Sequence, residues 1–233
     1  DRIDPGRAHY NVGAGLVVRG ALQPALLRDA LAIVIARHEA LRTRFVEDDG
    51  RPMAEIVESA PVPFELVDLR AVPPADAQAD SRARADALLK RGFDLAQGPL
   101  CAAQLHRLAD DHHVLAFTAH HIAADGWSLM ILLREWWQAY DALRQGGAPA
   151  FPPLELQSAD FAAWEQEQLH DGRLLRQLAH AKQQLAGAPA ALELPTDRPR
   201  PAAQSFRGAR VRRDFAPALL DALKARSRRH EAT

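Results

Sequence analysis

Two adjacent imidazoles, His120 and His121, stand ahead of Asp125 and Gly126 in the run Ala119-His120-His121-Ile122-Ala123-Ala124-Asp125-Gly126-Trp127-Ser128. An unperturbed imidazole titrates near neutral pH, so such a ring is fit to accept or donate a proton in transfer chemistry. Histidine and aspartate are also metal-ligand types, which keeps an ion site in view. Adjacent side chains on extended backbone point to opposite faces, however, so His120 and His121 cannot easily share one ion. The pair suits a division of roles instead. His120 is expected to face inward as a structural group. His121 is expected to face a cavity, because Asp125 and Gly126 follow it around the turn. A satisfied pair of core or surface histidines is the plain alternative.

The elements around the motif decide whether it can act. The apolar run 114–119 predicts a buried strand and the amphipathic run 128–143 a helix, with Trp136 and Trp137 as packing residues. The motif therefore falls on a strand-to-helix turn, where backbone N–H groups point outward. Upstream, 10–19 reads as a strand and 24–37 as a helix opening on Pro24. Short strands are predicted over 42–45, 53–58 and 64–68, with Asp48-Asp49-Gly50 turning between the first two. After Pro73-Pro74, 76–90 reads as a surface helix. Residues 100–108 and 113–119 read as a hairpin through Ala109-Asp110-Asp111, with His112 and His113 solvated. Helices are predicted over 159–170, 172–185 and 217–229, and a strand over 207–215. This mixture predicts an α/β sandwich of sheet and covering helices.

Composition narrows the function classes. The chain has 233 residues, 48% of them hydrophobic, enough for a sizeable core. No apolar run reaches the ~18 residues of a membrane span, and no secretory leader pattern is visible. Lys and Arg number 29 against 30 Asp and Glu, a balance that argues against a nucleic-acid surface. The single cysteine, Cys101, excludes an internal disulfide framework and reads as a buried small hydrophobe. A cytoplasmic location is the expectation, with no membrane and no nucleic-acid partner.

A second run, Arg37-His38-Glu39-Ala40-Leu41-Arg42-Thr43-Arg44-Phe45, closes the helix that starts at Pro24. With it the chain resembles the condensation domain of nonribosomal peptide synthetases, whose motifs RHExLRTxF and HHxxxDG are both intact. Ser158-Ala159-Asp160-Phe161-Ala162-Ala163-Trp164 resembles the family's YxDFAxW-type motif, with Ser158 in place of the usual tyrosine. Leu194-Pro195-Thr196-Asp197-Arg198-Pro199-Arg200-Pro201 resembles the proline-rich connector that follows it. The opening SxAQxRLW-type motif and the later motifs of the family are not found, so the chain reads as a fragment.

The resemblance implies a chloramphenicol acetyltransferase-like fold of two lobes facing each other across a tunnel. Residues 1–190 would then form the N-terminal lobe without its first helix. Residues 191–233 would be the crossover and the start of the second lobe. It also implies an acyltransferase that joins a donor acyl or peptidyl thioester to an acceptor aminoacyl thioester as an amide. Both would arrive on phosphopantetheine arms of upstream and downstream peptidyl carrier proteins, beside an adenylation domain, with no cofactor or metal bound by the chain itself. His121 and Gly126 are the implied catalytic positions. His120, Asp125, Arg37, Arg42 and Trp164 are assigned to structure around them. A buried aspartate needs a partner, and since the resemblance implies structural arginines in the RHExLRTxF motif, Arg42 or Arg37 is expected to hold Asp125. An epimerisation domain, another HxxxD acyltransferase or a catalytically silent docking module are the alternatives.

Overall fold

The computed structural model describes residues 8–170, 173–199, 201, 202, 209 and 211–232. They divide between two compact units, residues 1–188 and residues 189–233.

The first unit is built on a four-stranded sheet of β1 (Asn11–Arg19), β4 (Phe64–Asp68), β5 (Cys101–Ala109) and β6 (His112–His120). Its order is β1-β6-β5-β4, with β1 and β5 antiparallel to β6 and β4 parallel to β5. A separate hairpin pairs β2 (Thr43–Asp48) with β3 (Arg51–Ile56).

Alternation along the strands sends Leu105, Leu115, Phe117 and Ala119 to one face, where two helices cover them. In α1 (Pro24–Arg37), Leu27, Ala30, Leu31, Val34 and Ile35 recur at helical spacing and are buried. In α3 (Gly126–Arg144), Leu129, Leu132, Leu133, Trp136, Ala139 and Tyr140 do the same. Two polar ties fix α1 and its approach to α3. The Trp136 indole donates to the Leu27 carbonyl at 2.7 Å, and the Gln23 N–H donates to the Tyr140 hydroxyl at 3.1 Å.

Helix α2 (Pro74–Leu89) covers part of the opposite face, over Leu100, Ala102 and Ala116. Its end comes so close to β1 that a methyl at Gly13 would run into Leu89 and the Phe117 carbonyl. Helices α4 (Ser158–His170) and α5 (Arg173–Gln184) complete this unit with largely exposed surfaces. In the second unit, α6 (Pro217–Arg229) is the regular element among the described residues. The expected strand over 207–215 is not seen among the described residues: 209 and 211–216 carry none. No neighbouring strand is described in this unit to pair with it, and 207, 208 and 210 lie outside the described residues.

Cys101 is buried in β5, which pushes its thiol up to about 12. His113 corrects the expectation of a solvated hairpin residue. β6 already runs from His112, so alternation carries His113 to the same buried side as Leu115, and neither of its ring nitrogens has a hydrogen-bond partner among the described residues. His106, equally buried, holds the Ser81 hydroxyl at Nδ1, 2.9 Å away, and Gln104 at Nε2, 3.2 Å away.

Burial is the main cause that lowers the pKa of His106, His113 and His120 below the usual imidazole value. Below about 6.5 the unfolded chain takes up protons that the folded chain refuses. Stability is therefore fully present above that pH and is lost as pH falls toward the depressed folded values, by at most about 1.4 kcal/mol per pH unit for each ring. The urea midpoint is expected to be lower at pH 5 than at pH 7.5. Identical midpoints would show that the fold accepts the protons.

Candidate active site

β6 delivers the paired histidines to the end of the sheet. His120, its last residue, is 6% exposed, with Phe93 edge-on at 6.5 Å and Tyr10 tilted at 6.2 Å. Its Nδ1 accepts the Ile122 N–H at 3.1 Å, which leaves the neutral ring its proton on Nε2. His121 is the next residue and turns the other way. Its N–H is tied to the Tyr10 carbonyl at 2.6 Å, while its side chain is exposed and makes no hydrogen bond among the described residues.

The chain then reverses. The N–H groups of Ala123 and Ala124 both reach the His120 carbonyl, at 2.9 and 3.3 Å. Asp125 caps α3: its Oδ1 accepts the Ser128 hydroxyl at 2.6 Å and the Ser128 N–H at 2.7 Å. These two bonds, the hydroxyl first, lower the carboxyl pKa below the usual aspartate value. Gly126 is the first helical residue, so its N–H has no acceptor within the helix. A Cβ built on Gly126 would meet no atom within 4 Å. The packing of this unit therefore does not require glycine there, and the backbone lies open to an approaching group.

The expected ion pair of Asp125 with Arg37 or Arg42 is not present among the described residues. Asp125 is exposed, and its charge is met by the cap and by the positive end of the helix. Arg37 instead donates from Nε to Glu135 at 3.1 Å and lies 5.0 Å over the Phe151 ring. Arg42 donates to the Val57 carbonyl at 2.7 Å, and to the Ala36 carbonyl and Glu39 at 3.3 Å. Both arginines serve the end of α1 and the loop after it. Asp125→Ala is accordingly expected to lower the melting temperature by roughly 2–4 °C through loss of the cap. A thermal scan by circular dichroism checks this, and an unchanged midpoint would contradict the capping role.

Trp164 also lies differently from the expectation of a packed residue beside the turn. It is 51% exposed on α4, and its ring neighbour is Phe161, 5.5 Å away.

Glu135 escaped the sequence reading. It is 7% exposed on the apolar stripe of α3, and one oxygen, Oε2, meets both Arg37 and the Nε2 of His38, the latter at 2.7 Å. An acid in register with Leu132 and Trp136 was the available signal. Between this cluster and the turn lies a cavity of about 120 Å³, bordered by His38, Leu41, Ala123, Ser128, Leu132 and Ser158. A larger recess of about 590 Å³ opens between α2 and the β4–β5 edge, and none of its lining residues belongs to the turn. Among the described residues no three His, Cys, Asp or Glu side chains converge as ligands for an ion, and no helix is long and apolar enough to cross a membrane.

The turn therefore carries one sealed and one open histidine at the end of a sheet covered by α1 and α3. The chain belongs to the Condensation domain family, which it matches over residues 1–233. It is 40% identical to a linear gramicidin synthase of Brevibacillus parabrevis over 98% of its length, and that relative is matched over 3% of its own. It is likewise 40% identical to the phosphinothricin tripeptide synthetase PhsC of Streptomyces viridochromogenes, over 100% of this chain and 22% of that one. The X-domain from teicoplanin biosynthesis, solved in complex with OxyB, superposes with a TM-score of 0.76 at 37% identity, covering 85% of this chain and 43% of the solved one. The chain thus spans less than half the length of each.

Proposed function

We propose that the parent of this chain forms an amide bond between two carrier-bound thioesters. The observation that supports this most is His121, an exposed imidazole at the mouth of α3, set beside a buried partner whose tautomer is fixed. The reaction makes three demands: the acceptor ammonium loses a proton, the two thioesters are held within attack distance, and the tetrahedral oxyanion is stabilised. The acceptor nitrogen forms a bond to the donor carbonyl carbon, the carbon–sulfur bond breaks, and the donor arm leaves as a thiol. His121 stands beside that nitrogen, either taking its proton or orienting it by a hydrogen bond. The open N–H of Gly126 offers a donor to the substrate. In this reading the substrates arrive on the phosphopantetheine arms of an upstream and a downstream carrier protein, and an adenylation domain adjoins.

The alternative is a module that only recruits a partner protein; the similar X-domain was solved in complex with one, OxyB. The test is the intact parent synthetase with donor and acceptor carriers loaded. A carrier-bound peptide product, read by mass spectrometry, supports the enzyme. Carrier binding without product leaves a docking module.

A further inference from the structure

We propose that Glu135 is a positioning residue for the catalytic turn, an inference that rests on the function proposed above. Its carboxylate lies on the same face of α3 as Ser128 and Leu132, about 10 Å along the axis from the hydroxyl-bearing end. That carboxylate does not face solvent. Its Oε2 takes the Nε–H of Arg37 at 3.1 Å and the Nε2 of His38 at 2.7 Å, from two consecutive residues at the end of α1. The cluster continues outward. Gln157 donates from Nε2 to the Arg37 carbonyl at 3.0 Å, accepts the Glu39 N–H at 3.3 Å, and donates its own N–H to Asp160 at 2.8 Å. The buried acid therefore joins α3 to the end of α1, which Gln157 ties in turn to the start of α4.

Stability alone does not explain an acid here. Desolvating a carboxylate costs about as much as its pairing returns, and an apolar residue on the stripe between Leu132 and Trp136 would pack without that cost. What the charge adds is register. Leu132 can slide against α1 with little loss, whereas an oxygen shared by Nε of Arg37 and Nε2 of His38 tolerates one arrangement. Because α3 is a continuous helix from Gly126 to Arg144, fixing it at Glu135 fixes its N-terminus. That end carries the Asp125 cap, the Gly126 N–H and the chain entering from His121. His38 connects the two levels directly, bordering the same small cavity as Ala123 and Ser128.

The test uses the intact parent synthetase with Glu135→Gln, which keeps shape and removes the charge. Two readouts are taken at a temperature where the variant is folded. The kcat for peptide formation is expected to fall roughly 10- to 100-fold while KM for the loaded carriers stays within about twofold, as for a small displacement of reacting groups. Amide exchange of the segment around Ser128 is expected to quicken about tenfold, with exchange in the middle of β6 unchanged. Wild-type kcat and wild-type exchange near Ser128 would overturn the inference. So would an equal rise in exchange throughout β6, which marks plain destabilisation. Should Glu135→Gln fail to fold, His38→Leu removes the 2.7 Å partner of the same oxygen and is read in the same way. If the unsubstituted parent makes no peptide, the functional reading fails by itself, and the exchange comparison still decides the role of Glu135.

Discussion

Under the proposed function, His121→Ala in the parent protein is expected to cut peptide formation by roughly 10²-fold and leave the thermal midpoint where it was. The two halves of this expectation come from different observations. Proton transfer or hydrogen bonding by a placed imidazole contributes on the order of 10²–10⁴ in rate. A thioester is already an activated acyl donor, and holding amine and carbonyl together supplies much of the acceleration, so the lower end of that range applies. Stability is untouched because the His121 side chain is exposed, and the bond that anchors the residue runs from its backbone N–H to the Tyr10 carbonyl. His120→Ala is the instructive contrast. It would empty a buried position between Phe93 and Tyr10 and remove the acceptor of the Ile122 N–H. A wild-type rate in His121→Ala, measured with both carriers loaded, would remove this ring from the chemistry. A drop in the midpoint equal to the drop in rate would make its role structural.

How far the sequence carries depends on which physical signal is in play. Local elements are legible: β4 spans Phe64–Asp68 and α6 spans Pro217–Arg229, the ranges expected from the sequence. The strand-to-helix turn is legible too, because Asp125 and Ser128 make a cap within four residues. Pairing across the sheet is not. Nothing in the pattern of β4 says that it lies parallel to β5 at the edge, since register is set by partners far along the chain. Charge partners are hidden for the same reason. The expectation of a buried Asp125 held by an arginine fails because an aspartate ahead of a helix finds its donors locally. Arg37 has its partner 98 residues away, which no local reading supplies. Trp164 shows the limit of composition: a large ring on a helix usually packs, yet this one lies beside Phe161 on an exposed face.

Trp136→Ala should have the opposite signature to His121→Ala, losing stability first and activity as a consequence. Trp136 is 2% exposed and stands where four elements meet. Its indole N–H reaches the Leu27 carbonyl of α1 at 2.7 Å, and its ring lies edge-on to Phe64 of β4 at 6.4 Å and to Phe117 of β6 at 5.9 Å. Truncation to alanine leaves a cavity between those rings and costs about 3–5 kcal/mol, a large part of the roughly 5–15 kcal/mol that holds a typical domain. Trp136→Phe retains most of the ring and gives up the hydrogen bond, so its cost should be about 1–2 kcal/mol. Urea titrations followed by far-ultraviolet circular dichroism rank the three proteins, and a Trp136→Ala within about 1 kcal/mol of the parent would mean that this junction is not the core. The functional consequence follows from the geometry of α3. Trp136 lies one residue beyond Glu135 on the helix whose first turn carries Asp125 and Gly126, so loosening its packing frees the turn as well as the core. Product formation should therefore fall in proportion to the unfolded fraction as temperature rises. In His121→Ala the deficit should instead be the same at every temperature at which the protein remains folded.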